Sequence, residues 1–300
     1  MNVLKGVALG ILSFLLFLSL SVFGLALTLN YTILNPDFVV SEVDRLDVSA
    51  LAEEVLAEQI PEEEEFMVGF LDTAVADLEP WIKEQVSVVT YSSYDYLLGK
   101  NQSLSVTIPL EPVKESLRET LREAIIKSPP PQLEGLPPAE IEQYSNQLYQ
   151  EISQQIPSTF EFNESLLTPE IWAQFQQIRQ AIGYFQLGYK LLIGFILLLI
   201  LGIVLINREV KGATRGIGIT FLSYGVLWYA GTFVAKHFAG TQMAQLDIPP
   251  YLQGWLPQLL DDLIAPLGMF SLGLLIAGVV LIVVSFVYKP RQTSFRTMKC

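Results

Sequence analysis

Cysteine, histidine and charge are all scarce in this chain of 300 residues. The one cysteine, Cys300, is the last residue, so no disulfide can close within the chain and no cysteine-based zinc site can be built. A prenylation box would need cysteine at the fourth position from the end. His237 is the one histidine, which excludes a multi-histidine metal site within a single chain. Charged residues make up 16%, against about a quarter in ordinary soluble domains, and hydrophobic residues make up 51%. The charges sum to −13, which repels nucleic acid, and no basic stripe offsets it. No GxSxG elbow or other catalytic, metal or nucleotide motif is present. The residues therefore single out no catalytic, cofactor-binding or metal-ligating position and imply no cofactor.

What is abundant is uncharged apolar sequence. Gly6 to Pro36, Leu191 to Asn207, Gly216 to Ala235 and Leu263 to Tyr288 contain no charged residue. Each approaches or exceeds the ~17 residues a helix needs to cross the ~30 Å hydrocarbon core. The fold class is therefore membrane all-α: four transmembrane helices, with a large, mainly helical extracytoplasmic domain inserted between spans one and two. Tyr184, Phe185 and Tyr189 precede the short second run, and Lys190 can snorkel, so that helix should begin before its uncharged part. Trp228 and Tyr229 suit an aromatic belt at the end of the third span.

Orientation follows from Lys and Arg in the short flanks. Arg208, Lys211 and Arg215 separate spans two and three, Lys289, Arg291, Arg296 and Lys299 follow span four, and Lys5 precedes span one. Placing these pieces in the cytoplasm leaves Glu209 as the one acid there, and almost every acid of the chain lies between Asn30 and Lys190. The resulting map has a first span at 1–29 with a cytoplasmic N-terminus and an acidic extracytoplasmic domain at 30–185. Spans two and three, at 186–207 and 216–235, flank a cytoplasmic loop at 208–215. An extracytoplasmic interfacial loop at 236–262, a fourth span at 263–288 and a cytoplasmic basic tail at 289–300 complete a multi-pass protein of the cell membrane. Gly24 and Ala26 also fit signal cleavage after Ala26, but the apolar stretch is long and one lysine precedes it, which favours a retained anchor.

Within the acidic domain, Asn35-Pro36 reads as a cap followed by proline at the first helical position, opening a helix to about Leu46. Asp47 can cap a second helix to about Gln59. Pro61 and the acidic turn Glu62 to Glu65 open a third, expected to stop at Pro80, with another from Trp81 to near Gly99. Leu104, Val106 and Ile108 alternate with polar residues, a strand signal without an evident partner. Val113, Leu117, Leu121 and Ile125 share one face of a helix over 111–127, with Glu115–Arg118 and Glu119–Arg122 as ion pairs at three-residue spacing. A proline-rich loop leads to a helix over about 139–155 that groups Ile141, Tyr144, Leu148 and Ile152. Thr168-Pro169 starts the last helix, whose Ile171, Phe175, Ile178, Ile182 and Phe185 run into span two without a proline. One continuous helix should therefore join the domain to the membrane.

Lys190, Lys236, His237, Asp261 and Asp262 form a candidate charge cluster at the outer mouth of the bundle. A lipid headgroup is its sharper reading, and end-capping with snorkelling its plainer one. The run Glu62 to Glu65 lacks the alternating ligands and central glycine of a calcium loop. Gly6 with Gly10 and Gly273 with Ala277 are small pairs that permit close helix contact. Asn30, Asn101 and Asn163 head glycosylation acceptor patterns. Leu246 to Leu260 reads as an interfacial segment, a re-entrant loop being the alternative. Spans without charge near their middle disfavour transport by this chain alone.

These features favour a non-enzymatic membrane protein whose outer domain binds a protein partner in the membrane or envelope, or membrane lipid, as a scaffold, sensor or accessory. The alternatives are a subunit of a transporter or channel assembly and an outer-face hydrolase using paired carboxylates.

Overall fold

In a computed structural model of the chain, residues 2–51, 65–127, 133, 135, 137–207, 209–243 and 248–287 are described. They divide into two units: the described residues of 1–32, 184–247 and 257–300 form one, and those of 33–183 and 248–256 the other. The expected turn Glu62 to Glu64, most of the helix after Asp47, the Pro129 to Pro131 loop and the basic tail lie outside the described residues.

The first unit holds helices α1 (Asn2–Tyr31), α7 (Val210–Met243) and most of α6 (Pro169–Asn207) and α9 (Trp255–Val287). All four contain apolar windows long enough to cross a membrane, in agreement with the four expected spans. Helices α6, α7 and α9 each outrun their uncharged runs, because charged and aromatic residues extend the ladder past the apolar core. Leu16 and Leu20 of α1, Ile196, Leu199 and Ile203 of α6, and Ile217 and Tyr224 of α7 pack into one buried cluster. Lys5 Nζ donates to the Asn207 carbonyl, 3.2 Å away, so the start of α1 lies beside the end of α6 and its cation meets the negative end of that helix.

Close helix contact uses glycines other than those expected. Gly6, Gly10 and Gly273 face open space. A Cβ on Gly225 would instead lie 2.6–2.7 Å from Leu275 atoms, and one on Gly278 would lie 2.6 Å from the Leu222 amide nitrogen. Gly218 is similarly tight against Gly278, and Gly24 leaves the room that the Tyr224 side chain fills. Spacing alone could not choose among these glycines, since the choice depends on how each helix is rotated. Trp228 also departs from the belt reading: its Nε1 donates to Ser21 Oγ at 3.1 Å, inside the bundle.

The second unit is built from α2 (Pro36–Asp44), α3 (Glu65–Leu97), α4 (Glu111–Lys127), α5 (Pro138–Ser153), the start of α6, the short α8 (Pro250–Gln253) and two strands. Asn35 caps α2 by accepting from the Asp37 amide, and Asp47 accepts from the Ala50 amide. Pro80 lies inside α3 and does not end it. One lost hydrogen bond is outweighed where a long helix packs on several neighbours, here α2, α4 and β1. Gly99, at φ 75°, follows the helix in the left-handed conformation that glycine tolerates. The strand β1 (Ser105–Pro109) does find a partner in β2 (Thr159–Asn163), antiparallel, with Thr107 opposite Glu161. An all-α description therefore holds for the bulk of the chain, with a two-stranded sheet added.

On α4 the expected helix limits are met, with Ile125 buried. Arg122 pairs with Glu119 at 3.7 Å, while the Arg118 guanidinium lies over the Tyr149 ring at 5.8 Å. On α5, Ile141, Leu148 and Ile152 are partly buried on the expected face and Ser145 is buried with them, whereas Tyr144 is exposed.

Candidate functional site

Helices α7 and α9 run antiparallel in a register set by their close contacts. Gly278 lies against Gly218 and Leu222, Leu275 against Gly225, and a Cβ on Gly268 would meet the Thr232 hydroxyl at 3.8 Å. Continuing along the pair brings Lys236 Nζ to Asp261 Oδ1 at 3.0 Å. Around this ion pair is a cavity of about 440 Å³. On α7 its walls are Phe233, Lys236, His237, Gly240 and Met243, recurring at helical spacing, with Ala239 beside them; on α9 they are Pro257, Leu260 and Asp261.

Three of the five expected cluster residues thus share one cavity: Lys236, His237 and Asp261. Lys190, exposed on α6, does not line it. Neither does Asp262, which is half-buried at the next position along α9. The apolar walls were legible in principle from the spacing of Phe233, Gly240 and Met243, but only the register of α7 against α9 brings Pro257 and Leu260 opposite them. The ion pair leaves its side chains 39% and 58% exposed, so water screens it and it contributes little stability alone. Its chemical content is a cation and an anion side by side with apolar side chains on both flanks, Phe233 toward the middle of α7 and Met243 and Pro257 toward the ends of the two helices.

Outside this cavity, several polar groups bond one another within the second unit. Lys83 and the Ser49 hydroxyl both bond Glu79, and these bonds hold its carboxyl below the ordinary glutamate range. Tyr91 donates to Asp37 at 2.8 Å, and that acceptor pushes its phenol up. Tyr94 donates to the Ile33 carbonyl, and burial raises its phenol. Among the described residues no three His, Cys, Asp or Glu side chains come together as a metal site.

The start of α6 is clamped within the second unit. Trp172 lies 5.2 Å from the Tyr96 ring, the Arg179 guanidinium sits 4.3 Å over the same ring, and Arg179 donates to the Asn101 carbonyl at 3.1 Å. A cation over an aromatic face is attracted by the ring's negative surface. Trp255, the first residue of α9, donates from Nε1 to the Glu42 carbonyl at 2.9 Å, also within that unit.

No protein-family model, curated protein or solved structure matches the chain. Fold and composition define a helical chain with four candidate membrane spans, consistent with a multi-pass membrane protein.

Proposed function

We propose that this is a non-enzymatic multi-pass protein of the cell membrane with both termini in the cytoplasm. Its acidic domain between the first two spans faces outward, binds a protein partner of the membrane or envelope, and passes that state to the bundle. The observation that carries this reading is α6. It is one helix from Pro169 to Asn207, its first part held by Trp172 and Arg179 in one unit and its last part packed through Ile196, Leu199 and Ile203 in the other. A helix that is part of two cores couples them more stiffly than a flexible linker would.

The test is mild-detergent purification of the full chain from its native membrane, with mass spectrometry of what stays bound, on the wild type, Ile178→Ala and Ile178→Pro. Ile178 is about half exposed, so the alanine variant controls for its side chain. Proline removes the bond to the Gln174 carbonyl and bends or breaks the helix. A partner that contacts the bundle as well as the domain is expected to be lost in the proline variant alone. Partner recovery identical in all three would refute the coupling.

A further inference from the structure

We infer that the cavity between α7 and α9 is a binding site for the headgroup of a zwitterionic amine phospholipid, of the phosphoethanolamine class. The inference requires the four long helices to cross a membrane, and does not depend on what the acidic domain binds.

Three features of the site select this ligand. The first is charge: Lys236 and Asp261 stand 3.0 Å apart in one cavity, with His237 on the same wall. A lone phosphate drawn to Lys236 meets the Asp261 carboxylate at the same distance, and a lone amine drawn to Asp261 meets the lysine. A headgroup carrying phosphate and ammonium a few bonds apart satisfies both at once. The second is unused bonding capacity. An ammonium has three donors and a carboxylate about four acceptor positions. Their mutual bond occupies one of each, and both side chains remain more than a third exposed. A quaternary choline cation has no N–H to give Asp261, so a primary amine is selected.

The third feature is the apolar surface on the span side of the ion pair. Phe233 lines the cavity one turn from Lys236 toward the middle of α7, and Phe233 and Val234 are 73% and 69% exposed there. Such side chains beside a charged pocket suit acyl chains below a headgroup, which distinguishes a lipid from a soluble phosphoamine. The helix pair also changes character at this point. It is packed backbone to backbone at Gly218, Gly225 and Gly278 but separated by the cavity from Lys236 onward. Pro266, which cannot donate to the carbonyl four residues back, lies between these two stretches of α9.

The experiment uses the full chain in mild detergent, delipidated and titrated separately with phosphatidylethanolamine, phosphatidylcholine and phosphatidylglycerol, with retained lipid read by native mass spectrometry. Phosphatidylethanolamine should bind about tenfold or more tightly than either of the others. Asp261→Asn should remove its advantage over phosphatidylglycerol. Gly240→Leu should fill the cavity and abolish retention while the protein stays folded, because a Cβ at Gly240 meets no atom within 4 Å. An unchanged thermal midpoint in Gly240→Leu confirms the fold, and glycerophosphoethanolamine, which lacks acyl chains, should not compete. Equal or tighter binding of either other lipid overturns the proposal, as do undiminished retention in Gly240→Leu and effective competition by the soluble headgroup.

Discussion

Gly225 and Gly278 have no room for a methyl group, whereas Gly273, on the same helix as Gly278, has open space. In an apolar solvent helices associate by close van der Waals contact, so the two tight glycines should contribute far more than the open one. Gly225→Val or Gly278→Leu forces backbone apart and should destabilise by ~1–3 kcal/mol or more, read as a lower thermal midpoint in detergent; Gly273→Leu should leave it unchanged. At the same scale, the bonds from Lys83 and Ser49 lower the Glu79 pKa on folding. A carboxyl depressed in the folded state contributes stability that is present above its unfolded value, near 4.5, and is lost as pH falls through its lower folded value. Glu79→Gln should therefore lower stability at neutral pH and flatten the acid limb of a pH–stability curve below about 4.5. A curve superimposable on that of the wild type would show that the two bonds contribute nothing. Neither the Gly278 contact nor the Glu79 cluster was legible in sequence, because each joins positions whose meeting depends on tertiary register.

Helix starts were legible to within a residue or two where a cap residue or proline marked them, as at Asn35-Pro36 and Thr168-Pro169. Stops were harder to read. Pro80 carries a break signal at the level of the peptide bond, yet α3 packs on α2, α4 and β1 and continues through it. Pro80→Ala restores the missing donor, so helix content by circular dichroism should stay constant while stability rises by up to ~3 kcal/mol. A fall in stability would mean that α2 and α4 are shaped to a bend at Pro80. The strand at Thr159 to Asn163 escaped notice for a different reason: five residues are too few for alternation to stand out, and the partner lies some fifty positions back at β1. On α5, Tyr144 sits at an apolar-face position but is amphipathic and turns outward, leaving Ser145 to be buried. The candidate site shows the same division. Its charged residues were recognised from position near the span ends, but the apolar walls at Pro257 and Leu260 needed the register between two helices.

For the whole molecule, the four spans were readable from uninterrupted apolar length alone, and their sidedness rests on charge alone. Within the bundle, the bond from Lys5 to the Asn207 carbonyl puts the start of α1 at the same end as the junction of α6 and α7, in keeping with assigning both flanks to one side. Which side that is can be read with the chain's own chemistry, because Cys300 is its one cysteine. In intact cells a membrane-impermeant maleimide should leave Cys300 unlabelled and should label it once the membrane is opened. Moving the thiol in the double variant Cys300→Ser, Ser103→Cys places it at an exposed position in the turn before β1, and labelling should then occur in intact cells. The two variants make opposite demands on one topology, so a tail that reacts in intact cells together with a Ser103→Cys thiol that does not would invert the orientation. In that event the acidic domain would face the cytoplasm, the basic flanks would lie outside against the positive-inside preference, and a partner would have to be sought among cytoplasmic proteins. The lipid site would survive the inversion, since Lys236, Asp261 and the walls between them would simply open to the other leaflet.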